Sequence, residues 1–112
     1  MRILISLIIF GLLLSSCLSN RKISARSDGP KLLVFTKTLG WRHASIPAGK
    51  EAMQELGAEN NWTIDFSEDS LLFTREYLAE IDLVVFLNTT GDILGDVQEV
   101  AFQNFIEGGG SF

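Results

Sequence analysis

The feature that most constrains this fold is a rhythm of short apolar runs alternating with segments of helical length. Lys31-Leu-Leu-Val-Phe-Thr36 follows a Gly-Pro pair and gives way to polar residues, as a strand buried on both faces does. Trp62-Thr-Ile-Asp-Phe66 alternates apolar and polar residues, the pattern of a more exposed strand. Leu83-Val-Val-Phe-Leu87 is wholly apolar, which predicts a central strand.

The intervening segments carry helix signals. Ser45 is placed to N-cap a helix, and Pro47 fits its first turn, where a missing N–H is harmless. Ala48, Ala52, Met53 and Leu56 recur at helical spacing, and Gly57 or the Asn60-Asn61 pair ends the run. Thr74 can cap a shorter helix reaching Ile81. Asp96, with Glu99 three residues on, predicts a capping box opening a helix to Glu107, its buried side marked by Val97, Val100, Ala101 and Phe105. Gly108-Gly-Gly-Ser-Phe112 then reads as a helix end and the entry to a further strand.

The order β-α-β-α-β-α-(β), with crossovers of helical length, predicts an α/β fold: a doubly wound parallel sheet with right-handed connections. A parallel sheet needs both faces covered and neighbours for its inner strands. Residues 31–112 are therefore expected to be the N-terminal part of a domain, truncated after the third helix.

Upstream of this rhythm the chain has a different character. Arg2 precedes an unbroken apolar stretch from Ile3 to Leu14, followed by Ser15, Ser16 and Cys17. That stretch is shorter than the roughly 20 residues needed to span a bilayer, but suits the core of an export signal. A helix of a globular core would carry a polar face, which this segment lacks. Residues 1–16 are thus expected to be a signal peptide. Leu14-Ser15-Ser16-Cys17 resembles the lipobox of bacterial lipoproteins, which implies lipidation at Cys17 and attachment to a membrane of the cell envelope, on its periplasmic or extracellular face. Residues 17–30, rich in Ser and charge and without periodicity, form the tether.

From Lys31 onward there are five Lys/Arg against thirteen Asp/Glu, a net charge of −8. Such a surface repels phosphate backbones, which argues against nucleic acid as a partner. Cys17 is the single cysteine, so neither a disulfide framework nor a cysteine-based zinc site is available, and no metal is expected.

In open α/β sheets ligands bind beyond the C-terminal strand ends, near the point where strand order reverses. Two loops qualify. Loop 36–45 holds Thr38, Trp41, Arg42 and the sole histidine, His43, just ahead of a helix N-terminus where an anion or a sugar hydroxyl could be held. His43 could carry a proton or serve as a lone metal ligand, or simply hydrogen-bond neighbouring backbone. Loop 88–95 offers Asn88, Thr89, Thr90 and Asp92 around Gly91, groups that suit a polyhydroxy ligand and equally suit a turn.

Three stretches taken together carry a family resemblance: Val34-Phe-Thr-Lys-Thr-Leu-Gly-Trp-Arg-His-Ala-Ser-Ile-Pro47, Asp82-Leu-Val-Val-Phe-Leu-Asn-Thr-Thr-Gly-Asp92 and Phe105-Ile-Glu-Gly-Gly-Gly-Ser-Phe112. In this order they resemble the ThuA-like, or trehalose-utilisation, domain of the class I glutamine amidotransferase-like superfamily. The resemblance covers residues 31–112 and implies a flavodoxin-like sheet and a link to sugar utilisation. It also implies that the glycine-rich turn leads toward the superfamily's nucleophile position. Members generally lack the amidotransferase cysteine there, so glutaminase activity is not implied.

The resemblance thus suggests a lipoprotein that binds or processes carbohydrate, with Thr38, Trp41, Arg42, His43, Asn88, Thr89 and Asp92 lining the pocket. Glycoside hydrolysis usually needs two carboxyls flanking the bond, and Asp92 has no evident partner. Enzyme and binding module both stay open, with no cofactor assigned. An alternative is a flavodoxin-like flavin-binding module, because Thr36-Lys-Thr-Leu-Gly40 loosely resembles the flavodoxin phosphate loop with its glycine displaced. A fragment without activity of its own is the third reading.

Overall fold

The structure, a computed structural model, describes residues 29–112. The export signal, Cys17 and all but the last two residues of the tether lie outside the described residues. Three strands form a parallel sheet: β1 (Lys31–Phe35), β2 (Thr63–Ser67) and β3 (Leu83–Phe86), in the order β2-β1-β3. Val34 of β1 is in register with Phe66 on one side and Val85 on the other. The α/β parallel architecture expected from the rhythm is therefore present.

The centre of this sheet is β1, not β3 as the apolar run predicted. Leu32 to Phe35 are all buried, whereas β3 buries only Val84 fully. The outer side of β3 carries a single parallel bridge, Leu83 to Ser111, in which the Val84 amide donates to the Ser111 carbonyl at 2.9 Å. Ser111 is thus where the glycine-rich turn meets the sheet.

Helix α1 (Ile46–Asn60) connects β1 to β2 and has Pro47 in its first turn. Asn61 ends it in the left-handed region at φ 59°, with the Trp62 amide returning to the Gly57 carbonyl at 2.9 Å. The expected apolar face is displaced. Ala48, Ala52 and Leu56 point to solvent, Met53 is half-buried, and Ile46 and Gly57 face inward. The reason is close packing: a Cβ on Gly49 would stand 3.0 Å from both Leu87 methyls, and one on Gly57 would stand 2.7 Å from Ile64 Cδ1. Glycines, not alanines, mark the side that approaches the sheet.

A short 3₁₀ turn (Ser70–Leu72) leads into α2 (Arg75–Leu78). Thr74 Oγ1 accepts from the Tyr77 amide at 3.2 Å, the expected cap, while the helix stops before the buried Ile81. Helix α3 (Asp96–Glu107) begins one residue earlier than the predicted capping box requires. Gly95 is the N-cap and no side chain caps the helix, so Asp96 and Glu99 act only as first-turn acids complementing the helix dipole.

Val97 and Val100 are exposed, contrary to expectation, while Ala101 and Phe105 pack inward as expected. The helix is turned to seat Phe102, whose ring meets Phe86 edge-on at 5.3 Å and Phe73 at 5.9 Å. Phe35 joins the same cluster, 5.0 Å from Phe73. Each such pair adds about 0.5–1.5 kcal/mol beyond burial. This aromatic core lies on one face of the sheet and α1 on the other, leaving the C-terminal strand edge free for loops.

Candidate functional site

In the order β2-β1-β3 the chain leaves β1 for one neighbour and later returns to its other side. The crevice between the ends of β1 and β3 is therefore the topological switch point, where such sheets take ligands. Loops 36–45 and 88–95 meet there.

Four contacts join them. Thr38 and Thr90 form a parallel bridge, and the Leu39 amide donates to the Thr90 carbonyl at 2.8 Å. Thr90 Oγ1 donates to the Trp41 carbonyl at 2.9 Å, and Asn88 Nδ2 donates to Ser45 Oγ at 2.9 Å. Gly91, at φ 82°, passes so near that a Cβ there would lie 3.1 Å from Leu39 Cβ. Ser45 does hold the N-cap position of α1, but its hydroxyl makes no cap bond and serves the other loop instead.

The predicted site residues divide accordingly. Thr38, half-buried, and Asn88, exposed and left-handed at φ 51°, are engaged in joining the loops. Thr89 is half-buried beside them. Trp41, Arg42, His43 and Asp92 are exposed; Trp41 keeps 78% of its surface in solvent, which excludes a core role for it. An open groove of about 380 Å³ flanks α1, lined by Arg42, Ile46, Pro47, Lys50, Glu51 and Gln54. It shares only Arg42 with the predicted set.

A third loop reaches the same edge. Glu68, directly after β2, accepts from Arg42 Nη2 at 2.7 Å and from Thr36 Oγ1 at 3.3 Å. The Arg42 bond holds its carboxyl below the ordinary carboxylate range; modest burial opposes this, and the Arg42 charge, the Thr36 bond and the nearby Lys50 charge support it. Thr36 is wholly buried, so its hydroxyl is a fixed anchor for this carboxylate. Next to it Lys37 Nζ donates to Ser70 Oγ at 2.8 Å. In the sequence Glu68 is one of two acids, with Asp69, in the loop after the second apolar run, and is absent from the predicted site. The signal was its position, since in a parallel sheet every loop that follows a strand emerges at the same edge.

Among the described residues no three His, Cys, Asp or Glu side chains stand close enough together to hold a metal ion. The exposed groups on the loops at this edge are an indole, a guanidinium, an imidazole and the Glu68 and Asp92 carboxylates.

A parallel open sheet with its loops joined at the switch point defines an α/β domain of flavodoxin-like strand order. More particularly, the family model described as ThuA, trehalose utilisation, matches residues 31–112, and the chain belongs to that family. Its role is accordingly sugar-related in the broad sense. No curated protein and no solved structure matches the chain.

Proposed function

We propose that this chain is an envelope lipoprotein whose ThuA domain binds carbohydrate at the crevice between loops 36–45 and 88–95. The observation that carries the reading is Trp41: an indole left 78% exposed beside Arg42 and His43, on a loop tied to its neighbour by four contacts. A large exposed aromatic on a braced loop is a platform for the apolar face of a sugar ring. Arg42, His43 and Asp92 supply donors and acceptors for its hydroxyls. Cys17 and the apolar stretch before it support anchoring to a bacterial membrane.

The flavin alternative has less support, because the Leu39 amide that a phosphate loop would leave free is already bonded to Thr90. The test is calorimetric titration of the full chain with trehalose and other neutral sugars. Saturable binding that weakens about tenfold in Trp41→Ala, the loss of roughly 1.4 kcal/mol of stacking, supports the reading. Absence of binding to any sugar, or wild-type binding by Trp41→Ala and Asp92→Asn, rejects it.

A further inference from the structure

Every cation around this edge has a partner. Arg42 is held by Glu68 at 2.7 Å, Lys37 by Ser70 at 2.8 Å, and Lys50 lies 5.1 Å from the centre of the Phe66 ring. The Arg42–Glu68 pair is about half exposed on both sides, and pairs of that kind contribute roughly 0–1 kcal/mol to stability. Folding therefore gains little from it. Yet the pair joins two loops from different strands, and Glu68 is fixed from its other side by the buried Thr36 hydroxyl.

A guanidinium presents five N–H donors in a rigid plane. Glu68 takes the bond from Nη2 and cancels the charge, leaving donors on the same group available. An anionic ligand gains from a free cation; opposite a compensated one, it meets the Glu68 carboxylate as well. A hydroxyl loses nothing, because it needs a donor rather than a charge.

We propose that Glu68 is a positioning and specificity residue of this site: clamping Arg42, it presents a charge-compensated guanidinium that selects uncharged, hydroxyl-bearing ligands over anionic ones. The proposal rests on the carbohydrate reading of the crevice and adds a third loop, that after β2, to the site. The domain's net charge of −8 from Lys31 onward acts in the same direction at longer range.

The experiment compares trehalose with trehalose 6-phosphate on the full chain, in wild type, Glu68→Gln, Glu68→Asp and the control Glu55→Gln. Glu55 is exposed on α1, and its replacement removes the same formal charge without touching Arg42. The wild type should prefer the neutral sugar. Glu68→Gln should shift the ratio toward the phosphorylated sugar by about tenfold, the change expected when one charge-assisted hydrogen bond is released. Glu68→Asp, which keeps the charge, should stay closer to wild type, and Glu55→Gln should match it. Melting curves showing all four folded alike exclude a collapse of the loop. Equal binding of the two sugars by wild type, or an equal shift in Glu68→Gln and Glu55→Gln, overturns the proposal and leaves the carbohydrate reading standing. Binding of neither sugar overturns both.

Discussion

Asn88 Nδ2 donates to Ser45 Oγ across 2.9 Å, linking the second residue after β3 to the residue before α1. A hydroxyl suited to capping a helix has been redirected to brace a neighbouring loop. The bond is exposed, so its net contribution is about 0.5–1 kcal/mol. In a double-mutant cycle, Ser45→Ala and Asn88→Gly should show a coupling of that size, because glycine keeps the left-handed backbone while removing the amide. Asn88→Ala should be worse than Asn88→Gly by about 1 kcal/mol, since alanine is strained at φ 51°. Denaturant melts of the five proteins check both points, and additive single effects would remove the link.

Gly91 marks a close approach of the two loops. It combines φ 82° with Leu39 Cβ only 3.1 Å from where a Cβ would stand, closer than an ordinary van der Waals contact. Gly91→Ala should therefore lose about 1–2 kcal/mol from the left-handed strain and push loop 36–45 outward. Sugar binding should fall with it, in contrast to Trp41→Ala, which should leave the melting temperature unchanged. A fully stable Gly91→Ala would show that the approach is loose.

The parallel α/β alternation was legible in the sequence because the apolar runs and helical spacings obey independent periodicities, and handedness then places both loops at one edge; the order of the strands was not. Nor were finer features. The inward face of α1 is marked by Gly49 and Gly57, which hydrophobic spacing cannot see, since a residue without a side chain packs by letting the backbone approach. The turn of α3 is set by where Phe102 fits among Phe86 and Phe73, a tertiary preference that displaced Val97 and Val100 to the surface. Trp41, Arg42, His43 and Asp92 were readable as residues of the two loops, whereas Glu68 was readable only as an acid following a strand, because its pairing with Arg42 spans 26 residues.

The two helix starts give a paired test. Thr74 caps α2 through its hydroxyl, whereas Asp96 stands inside α3 and caps nothing. Thr74→Ala should destabilise by about 1 kcal/mol. Asp96→Ala should lose only the helix-dipole term, about 0.3–1 kcal/mol at low salt and less at high salt. If Asp96→Ala proves the costlier change and is insensitive to salt, the capping box predicted from sequence forms after all.

The proposed membrane anchoring rests on one side chain, that of Cys17. Cys17→Ser should either release the protein from the membrane fraction or leave an uncut precursor, seen as slower migration on a gel. Wild-type fractionation and migration of the variant would reject lipidation at this position.

Tyr77 is the chain's single tyrosine, so its ionisation can be followed by ultraviolet absorbance without interference from another phenol. Its hydroxyl donates to Asp65 Oδ2 at 2.9 Å, and Lys31 pairs with the same carboxylate at 3.1 Å. Burial raises the tyrosine's pKa, and the Asp65 hydrogen bond and negative charge raise it further, because each disfavours the phenolate. The folded state therefore holds this proton at pH values where the unfolded chain has released it. A group raised in this way adds stability that is fully present below the ordinary tyrosine value of about 10 and is lost as pH climbs through the folded value. Native protein should show no phenolate signal at a pH where denatured protein is half ionised, and its denaturant midpoint should fall as pH rises past that point. Asp65→Asn should lower the native titration toward the ordinary value while leaving the part due to burial. Coincident titration of native and denatured protein would mean that the Tyr77–Asp65 bond does not persist in solution.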